Sequence, residues 1–212
     1  MAERLKLLKP LKELYISQNF GEDSACVLTG GKKVIGRASG KECPIGYTSL
    51  YKSSGLLAHN GLDFKAYKFP IYSSIDGIVE EIQTEEARGL GIGIVSNQKF
   101  NFHNGDYFAK TRYWHLASFD VIKGQQISKG QLIGMTDNTG YSSAEHLHFE
   151  LKPVDYQNGN IYNVFQDNGY FGAIDPLLYL SQMYAYEINT WLDKIRYQLI
   201  DTMNRLQKLL SR

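Results

Sequence analysis

The sequence predicts an all-β fold: an antiparallel β-sheet or sandwich domain, followed by a C-terminal amphipathic α-helix. Short runs of β-branched and aromatic residues alternate with turn residues from about residue 14 to residue 175. No long helical period occurs in that stretch, and the composition includes 20 Gly and 15 Tyr. The 212-residue chain, 43% hydrophobic, is long enough to bury one substantial core.

The N-terminal part divides into a lead-in, a strand and an insertion. Residues 1–13 are interpreted as a basic lead-in to a domain over residues 14–180, because lysine and leucine alternate there. An opening strand is predicted within 14–21, where a glycine stops the run. Residues about 22–57 are irregular and too long for an ordinary connection, so they are predicted to be an insertion with a function or packing of its own.

The middle of the chain carries the clearest strand signals. Asp76-Gly77 lies between runs of β-forming residues, which predicts a hairpin over 71–82. Further strands are predicted at 91–96 and 110–116.

Residues 145–151 form the most informative strand, because polar and apolar side chains alternate along it. Leu147 and Phe149 share one face, and His146 and His148 share the other. Two imidazoles so close together are typical either of ordinary surface or core histidines or of a chemical site. The strand alone leaves both interpretations open.

After residue 175 the apolar period changes to three and four residues, which predicts an amphipathic helix over 181–212. This helix would either pack on the side of the domain or mediate self-association or docking to a larger assembly. The apolar positions are Ile188, Leu192, Ile195, Leu199, Met203, Leu206 and Leu210.

Charge and composition exclude some classes of partner. A net charge of +1 gives no electrostatic argument for nucleic acid or for an anionic membrane surface. The N-terminus has no signal-peptide pattern, and no stretch is long and apolar enough to span a bilayer. Cys26 and Cys43 are compatible with a disulfide or with two free thiols.

A metal site is predicted from His59 and Asp63, which lie four residues apart. Hydrolytic zinc takes three nitrogen or oxygen ligands from the protein and leaves one position open. Gly61 argues against a helix here, so the two side chains can share an ion only if the strand bends. One histidine of the pair His146 and His148 would complete the set.

With these residues, the chain resembles the lysostaphin-type zinc endopeptidases, a family of peptidoglycan hydrolases. The resemblance extends from about residue 16 to residue 180 and includes several motifs in order. These are His-Asn-Gly-Leu-Asp at 59–63, Tyr-Trp-His-Leu at 113–116, the Gly-Gln segment 124–134, Asn-Thr-Gly at 138–140 and His-Leu-His at 146–148.

The resemblance implies a zinc-dependent endopeptidase that cleaves stem-peptide or cross-bridge bonds of peptidoglycan. It implies that His59, Asp63 and His148 bind one zinc ion and that His115 and His146 are catalytic residues that do not bind the metal. Zinc acidifies its water, and neutral or protonated imidazoles can serve as general base or stabilise the oxyanion. The division of these roles between His115 and His146 stays open, as does the bond that is cleaved.

Two further ionisable residues are interpreted separately. His103 lies in a loop outside every motif and is predicted to be an exposed loop residue. Glu150 shares the face of the histidine pair, where it would either orient a ligand imidazole or form a cross-strand salt bridge.

Three other functional classes share some of these features. A non-catalytic family member that acts as a scaffold or activator would typically lack zinc ligands, whereas a sugar-phosphotransferase carrier would have no use for the His-Leu-His strand. A phage-particle component that also hydrolyses the wall is compatible with the enzyme. The expected site of action is the bacterial cell wall, reached by lysis, on a phage particle or by another export route.

Overall fold

One antiparallel sheet dominates the computed structural model, which describes residues 2–22, 25–27, 33–35, 51, 54–86, 88–140 and 145–184. Within these residues there are fourteen strands and a 3-10 turn at Pro176–Leu178. The strands are β1 Leu7–Lys9, β2 Ile16–Gln18, β3 Ala25–Val27, β4 Lys33–Ile35, β5 Leu62–Lys65, β6 Pro70–Tyr72, β7 Gly77–Glu85, β8 Gly89–Phe102, β9 Gly105–Phe119, β10 Gln126–Ile127, β11 Leu132–Thr136, β12 His146–Gln157, β13 Asn160–Asn163 and β14 Leu180–Tyr184.

The main sheet contains ten of these described strands, and its long path runs β10-β7-β8-β9-β12-β5-β2. β11 pairs with both β6 and β9, and β13 pairs with β12. Every pair in this sheet is antiparallel. The all-β, antiparallel prediction is therefore confirmed.

The alternation along β12 separates the core from the polar face, as the sequence predicted. Leu147, Phe149 and Leu151 are fully buried and belong to the main hydrophobic cluster. His146 and His148 project from the opposite face, because side chains two residues apart on a strand share a face. His146 and His148 are therefore held in position by a strand whose other face packs in the core.

The N-terminal segment belongs to the core rather than leading into it. Leu5, Leu7 and Leu11 are at most 2% exposed and are members of the main cluster. β1 pairs in parallel with β14, and the Leu7 N–H donates to the Tyr179 carbonyl at 2.8 Å. Lysines lie between these leucines in the sequence. The mixed pattern therefore fits an exposed basic segment as well as a strand that is buried in the core.

The predicted C-terminal amphipathic helix is wrong where the structure tests it. The region assigned to the helix begins inside strand β14, and the part of the chain that the structure describes has no helix of seven or more residues. The partner of β14 is β1, a segment that the sequence did not identify as a strand. Residues 185–212 lie outside the described residues, so self-association through a helix has no support.

The predicted hairpin over 71–82 is also wrong. β6 pairs with β11, whereas β7 pairs with β8 and β10. The connection between β6 and β7 is fixed by buried serines, since the Ser73 N–H donates to the Gln131 carbonyl and the Ser74 N–H donates to the Tyr113 hydroxyl. With these contacts, the chain passes from β6, which pairs with β11, to β7, which pairs with β8 and β10, and does not form a hairpin.

The insertion predicted at about 22–57 is described only in part. β3 and β4 form a separate two-stranded antiparallel sheet within it. Cys43 and the side chain of Cys26 lie outside the described residues, so their pairing stays open. No helix in the described part of the chain has the length and apolar character needed to cross a membrane.

Candidate active site

Three ligand-type atoms meet at one end of the polar face. Nε2 of His59 lies 2.9 Å from Nδ1 of His148 and 3.1 Å from Oδ1 of Asp63. Nδ1 of His148 lies 2.8 Å from the same Asp63 oxygen. Tetrahedral zinc with bonds of about 2.0–2.1 Å separates its ligand atoms by about 3.3 Å. The triangle is close to that size and is formed by the donor types that zinc prefers.

Register and a glycine bring these residues together. Asp63 in β5 is the direct partner of His148 in β12, so their side chains share one face. His59 reaches the same point from the bend that precedes β5. A Cβ on Gly61 would lie 2.6 Å from the Phe149 carbonyl oxygen and 2.8 Å from Cε1 of His148. Only glycine therefore lets the His148 ring lie between His59 and Asp63.

The outer nitrogens of both imidazoles are already engaged. Nδ1 of His59 lies 3.0 Å from the Asn19 carbonyl oxygen, and Nε2 of His148 lies 3.3 Å from Oε1 of Glu150. Since these partners accept hydrogen bonds, each outer nitrogen carries a proton, and the inner nitrogen of a neutral ring presents a lone pair. Two lone pairs and a carboxylate oxygen then converge, and such a group requires a cation or a proton between its members.

The local electrostatics favour a positive charge at this point. Burial alone would raise the pKa of Asp63, but the neighbouring His59 and the hydrogen bond from His148 prevail and lower that pKa far below its ordinary value. Burial would lower the pKa of His148, but Asp63 and Glu150 raise it to about 9. The donor set therefore fits a metal ion, which would take the place of the proton that His148 holds.

His115 reaches the site through a β-bulge. Leu90 pairs with Leu116 and Gly91 pairs with Trp114, so β9 has one extra residue, His115, at this point. His115 has a φ of +64°, a left-handed conformation that costs a non-glycine residue about 1–3 kcal/mol. Regular alternation would direct His115 into the core, because Trp114 already opposes His148 on the polar face.

The two candidate catalytic imidazoles lie side by side. The ring centroids of His115 and His146 are 4.5 Å apart, and Nε2 of His146 is 3.6 Å from Oδ2 of Asp63. Nδ1–H of His115 donates to the Thr139 carbonyl at 2.7 Å. Burial, reinforced by the neighbouring His146, lowers the pKa of His115 to about 4, so this imidazole is neutral at neutral pH.

Glu150 does both of the things that the sequence left open. Its Oε1 contacts His148, and its Oε2 pairs with Arg112 Nη1 at 3.2 Å and with Lys152 Nζ at 3.2 Å. Arg112 Nε also binds Oε1 of Glu81 in β7 at 2.6 Å. A line of charged residues from β12, β9 and β7 thus extends from His148 to Glu81. His103, by contrast, lies exposed in the turn between β8 and β9.

Some residues of the site were not predicted from the sequence. Asn19 acts through its backbone carbonyl, which carries no side-chain signal. Arg112 and Glu81 do carry one, since Arg112 lies two residues before Trp114 and alternation places it on the polar face. Alternation is therefore enough to identify Arg112, whereas its pairing with Glu81 depends on the strand order β7-β8-β9, which no local pattern predicts.

Replacing Gly61 by alanine is expected to weaken metal binding by at least about 10-fold, because the new methyl group forces the His148 ring out of place. Titration of the metal-free protein with zinc measures the effect. Gly134→Ala is the matched control, since its Cβ would crowd the Ser118 carbonyl at 2.4 Å in another part of the sheet. Equal metal affinity in the two variants would contradict the role given to Gly61.

Comparisons with known proteins give the family of the chain. The sequence model of "Peptidase family M23" matches residues 57–163. The peptidoglycan DD-endopeptidase ShyA of Vibrio cholerae serotype O1 is 39% identical over 108 residues, which cover 49% of this chain and 23% of that protein. The glycyl-glycine endopeptidase ALE-1 of Staphylococcus capitis is 36% identical over 102 residues, covering 47% and 26% respectively.

A solved structure extends the likeness of the fold. Helicobacter pylori Csd3 superposes with a TM-score of 0.50 at 20% identity and covers 97% of this chain and 44% of that one. At this identity the likeness concerns the fold alone. The chain spans about a quarter of the length of the two curated relatives above.

Proposed function

Because this chain belongs to peptidase family M23, we propose that it is a zinc-dependent endopeptidase that hydrolyses peptide bonds of bacterial peptidoglycan. One observation carries the proposal: the triangle of His59, Asp63 and His148 lies directly beside a pair of imidazoles, His115 and His146. A metal site with adjacent proton-transfer groups is the arrangement that amide hydrolysis needs. The bacterial cell wall is accordingly the proposed site of action.

His59, Asp63 and His148 would hold the zinc ion, each through the atom that faces the other two. When bound, zinc would supply the Lewis acidity that polarises a peptide carbonyl and acidifies a water molecule. The acceptors behind His59 and His148 would hold the outer nitrogens protonated, so that the inner nitrogens face the metal ion. Three ligands would leave one position for water or substrate.

His115 is in the neutral form that can accept a proton. Its imidazole is neutral, and its Nδ1–H is committed to the Thr139 carbonyl, so Nε2 is the basic nitrogen. Hydrolysis joins the water oxygen to the carbonyl carbon, breaks the C–N bond and moves one proton from water to the departing nitrogen. His115 would carry that proton, and His146 would donate to the oxygen on which negative charge develops.

The test combines metal analysis with digestion of purified peptidoglycan. Bound metal is quantified, the protein is incubated with peptidoglycan with and without a chelator, and new amino termini are identified by mass spectrometry. New termini in the stem peptide or cross-bridge that disappear on chelation and return with zinc would support the proposal. A zinc-loaded protein that releases no termini would contradict it and favour the non-catalytic scaffold.

A further inference from the structure

The Thr139 side chain is inserted between strands β8 and β9 at the bulge that presents His115. The Leu90 N–H donates to Oγ1 of Thr139 at 3.1 Å, and the Thr139 hydroxyl donates to the Leu116 carbonyl at 2.8 Å. Leu90 and Leu116 are register partners on the two strands. The hydroxyl thus bonds both strands at the position where the register shifts, using its one donor and one of its acceptor sites.

The backbone around Thr139 holds His115 from the other side. The Thr139 carbonyl accepts from Nδ1–H of His115 at 2.7 Å, and the Asp137 N–H donates to the His115 carbonyl at 3.0 Å. The segment 137–139 therefore contacts both the backbone and the ring of His115.

Gly89 allows Thr139 to pack directly against the bulge in β9. It has a φ of +68°, and a Cβ at this position would lie 2.3 Å from Oγ1 of Thr139 and 2.5 Å from its carbonyl oxygen. Any side chain at position 89 would push Thr139 away from the bulge. Three segments of the chain therefore meet around one hydroxyl group.

We propose that Thr139 is the positioning residue for His115: its hydroxyl fixes the segment 137–139 to the bulge, and its carbonyl selects the Nδ1–H tautomer. The inference rests on the proposed function, because it matters for turnover only if His115 transfers protons. The other tautomer would turn an Nδ1 lone pair towards the Thr139 oxygen and would protonate Nε2, which could then no longer accept a proton.

The kinetic test compares Thr139→Val with Thr139→Ser on the zinc-loaded protein. Valine keeps the shape but removes the hydroxyl, so we expect kcat to fall by about 100-fold, as a displaced catalytic group does, while KM and zinc content stay within about 2-fold. Serine keeps the hydroxyl and should restore kcat to within about 5-fold of the original protein. A purely structural role would lower zinc content and affect KM and kcat together.

Thr84→Val is the matched control, because Thr84 is exposed on β7 and registers with Leu90 one strand away. It should leave kcat unchanged. The proposal is overturned if Thr139→Val keeps the original kcat, or if Thr139→Ser loses as much activity as the valine variant.

A second measurement separates this inference from the proposed function. In ¹⁵N-labelled protein, the ring nitrogens of His115 should report the Nδ1–H tautomer, and Thr139→Val should mix the two tautomers. That result would support the positioning role even if the peptidoglycan assay showed no turnover. An Nε2–H tautomer in the original protein, or an identical spectrum in the valine variant, would overturn it.

Discussion

Replacing Asp63 by alanine is expected to remove bound zinc and abolish turnover, while His115→Ala keeps zinc and loses turnover. Asp63 is the only carboxylate in the described ligand triangle, and its oxygen lies within 3.1 Å of both inner nitrogens. Loss of an outer-shell partner costs metal sites about 10- to 100-fold in affinity, so loss of this direct ligand should cost more than about 100-fold. Zinc titration and peptidoglycan digestion measure the two effects.

The His115 variant completes this test, because it separates the metal from the proton-transfer group. Removing a general acid or base lowers the rate by about 10²- to 10⁴-fold, and His115 contributes no atom to the ligand triangle. His115→Ala should therefore bind zinc as the original protein does and show that loss in kcat. Full activity of this variant, or retention of zinc by Asp63→Ala, would contradict the assignment of roles.

The fold could be predicted where a single strand carries its own pattern. Alternation along β12 placed His146 and His148 on one face, and that prediction needs no knowledge of neighbouring strands. Prediction from the sequence failed where strands pair over long distances. The segment around Leu7 forms a strand because it pairs with β14, which lies more than 170 residues later in the chain. The hairpin at Asp76-Gly77 failed for the same reason, since β6 pairs with a distant strand.

The candidate site follows the same division. The approach of Asp63 to His148 results from register between β5 and β12, and the motifs anticipated the grouping although not its geometry. His115 could be identified by resemblance alone, because alternation from Trp114 points it into the core. A bulge reverses that direction, and it depends on Thr139, which contacts the bulge from a separate loop. A bulge that is stabilised by a distant residue cannot be predicted from the local alternation of polar and apolar residues.

Replacing Glu150 by alanine is expected to destabilise the fold by about 3–5 kcal/mol and to weaken zinc binding by about 10- to 100-fold. Glu150 is fully buried and pairs with Arg112 and Lys152, so its removal leaves two buried cations without their shared partner. Burial alone would raise the pKa of Glu150, but Lys152 and Arg112 lower it well below its ordinary value. The carboxylate is therefore charged, and it also accepts from His148.

Denaturant unfolding of the metal-free protein separates the stability effect from the binding effect, since no ligand then adds to stability. Asp155→Ala is the control: it breaks the Lys99–Asp155 pair, whose lysine side chain is 41% exposed, and should cost less than about 1 kcal/mol with zinc affinity unchanged. Glu150→Gln should lie between the two, because the amide oxygen can still accept from His148 but carries no charge. Equal stability of Glu150→Ala and Asp155→Ala would mean that Arg112 and Lys152 reach solvent when Glu150 is removed. The charged residues from Glu81 to His148 would then not hold the imidazole of His148 in place.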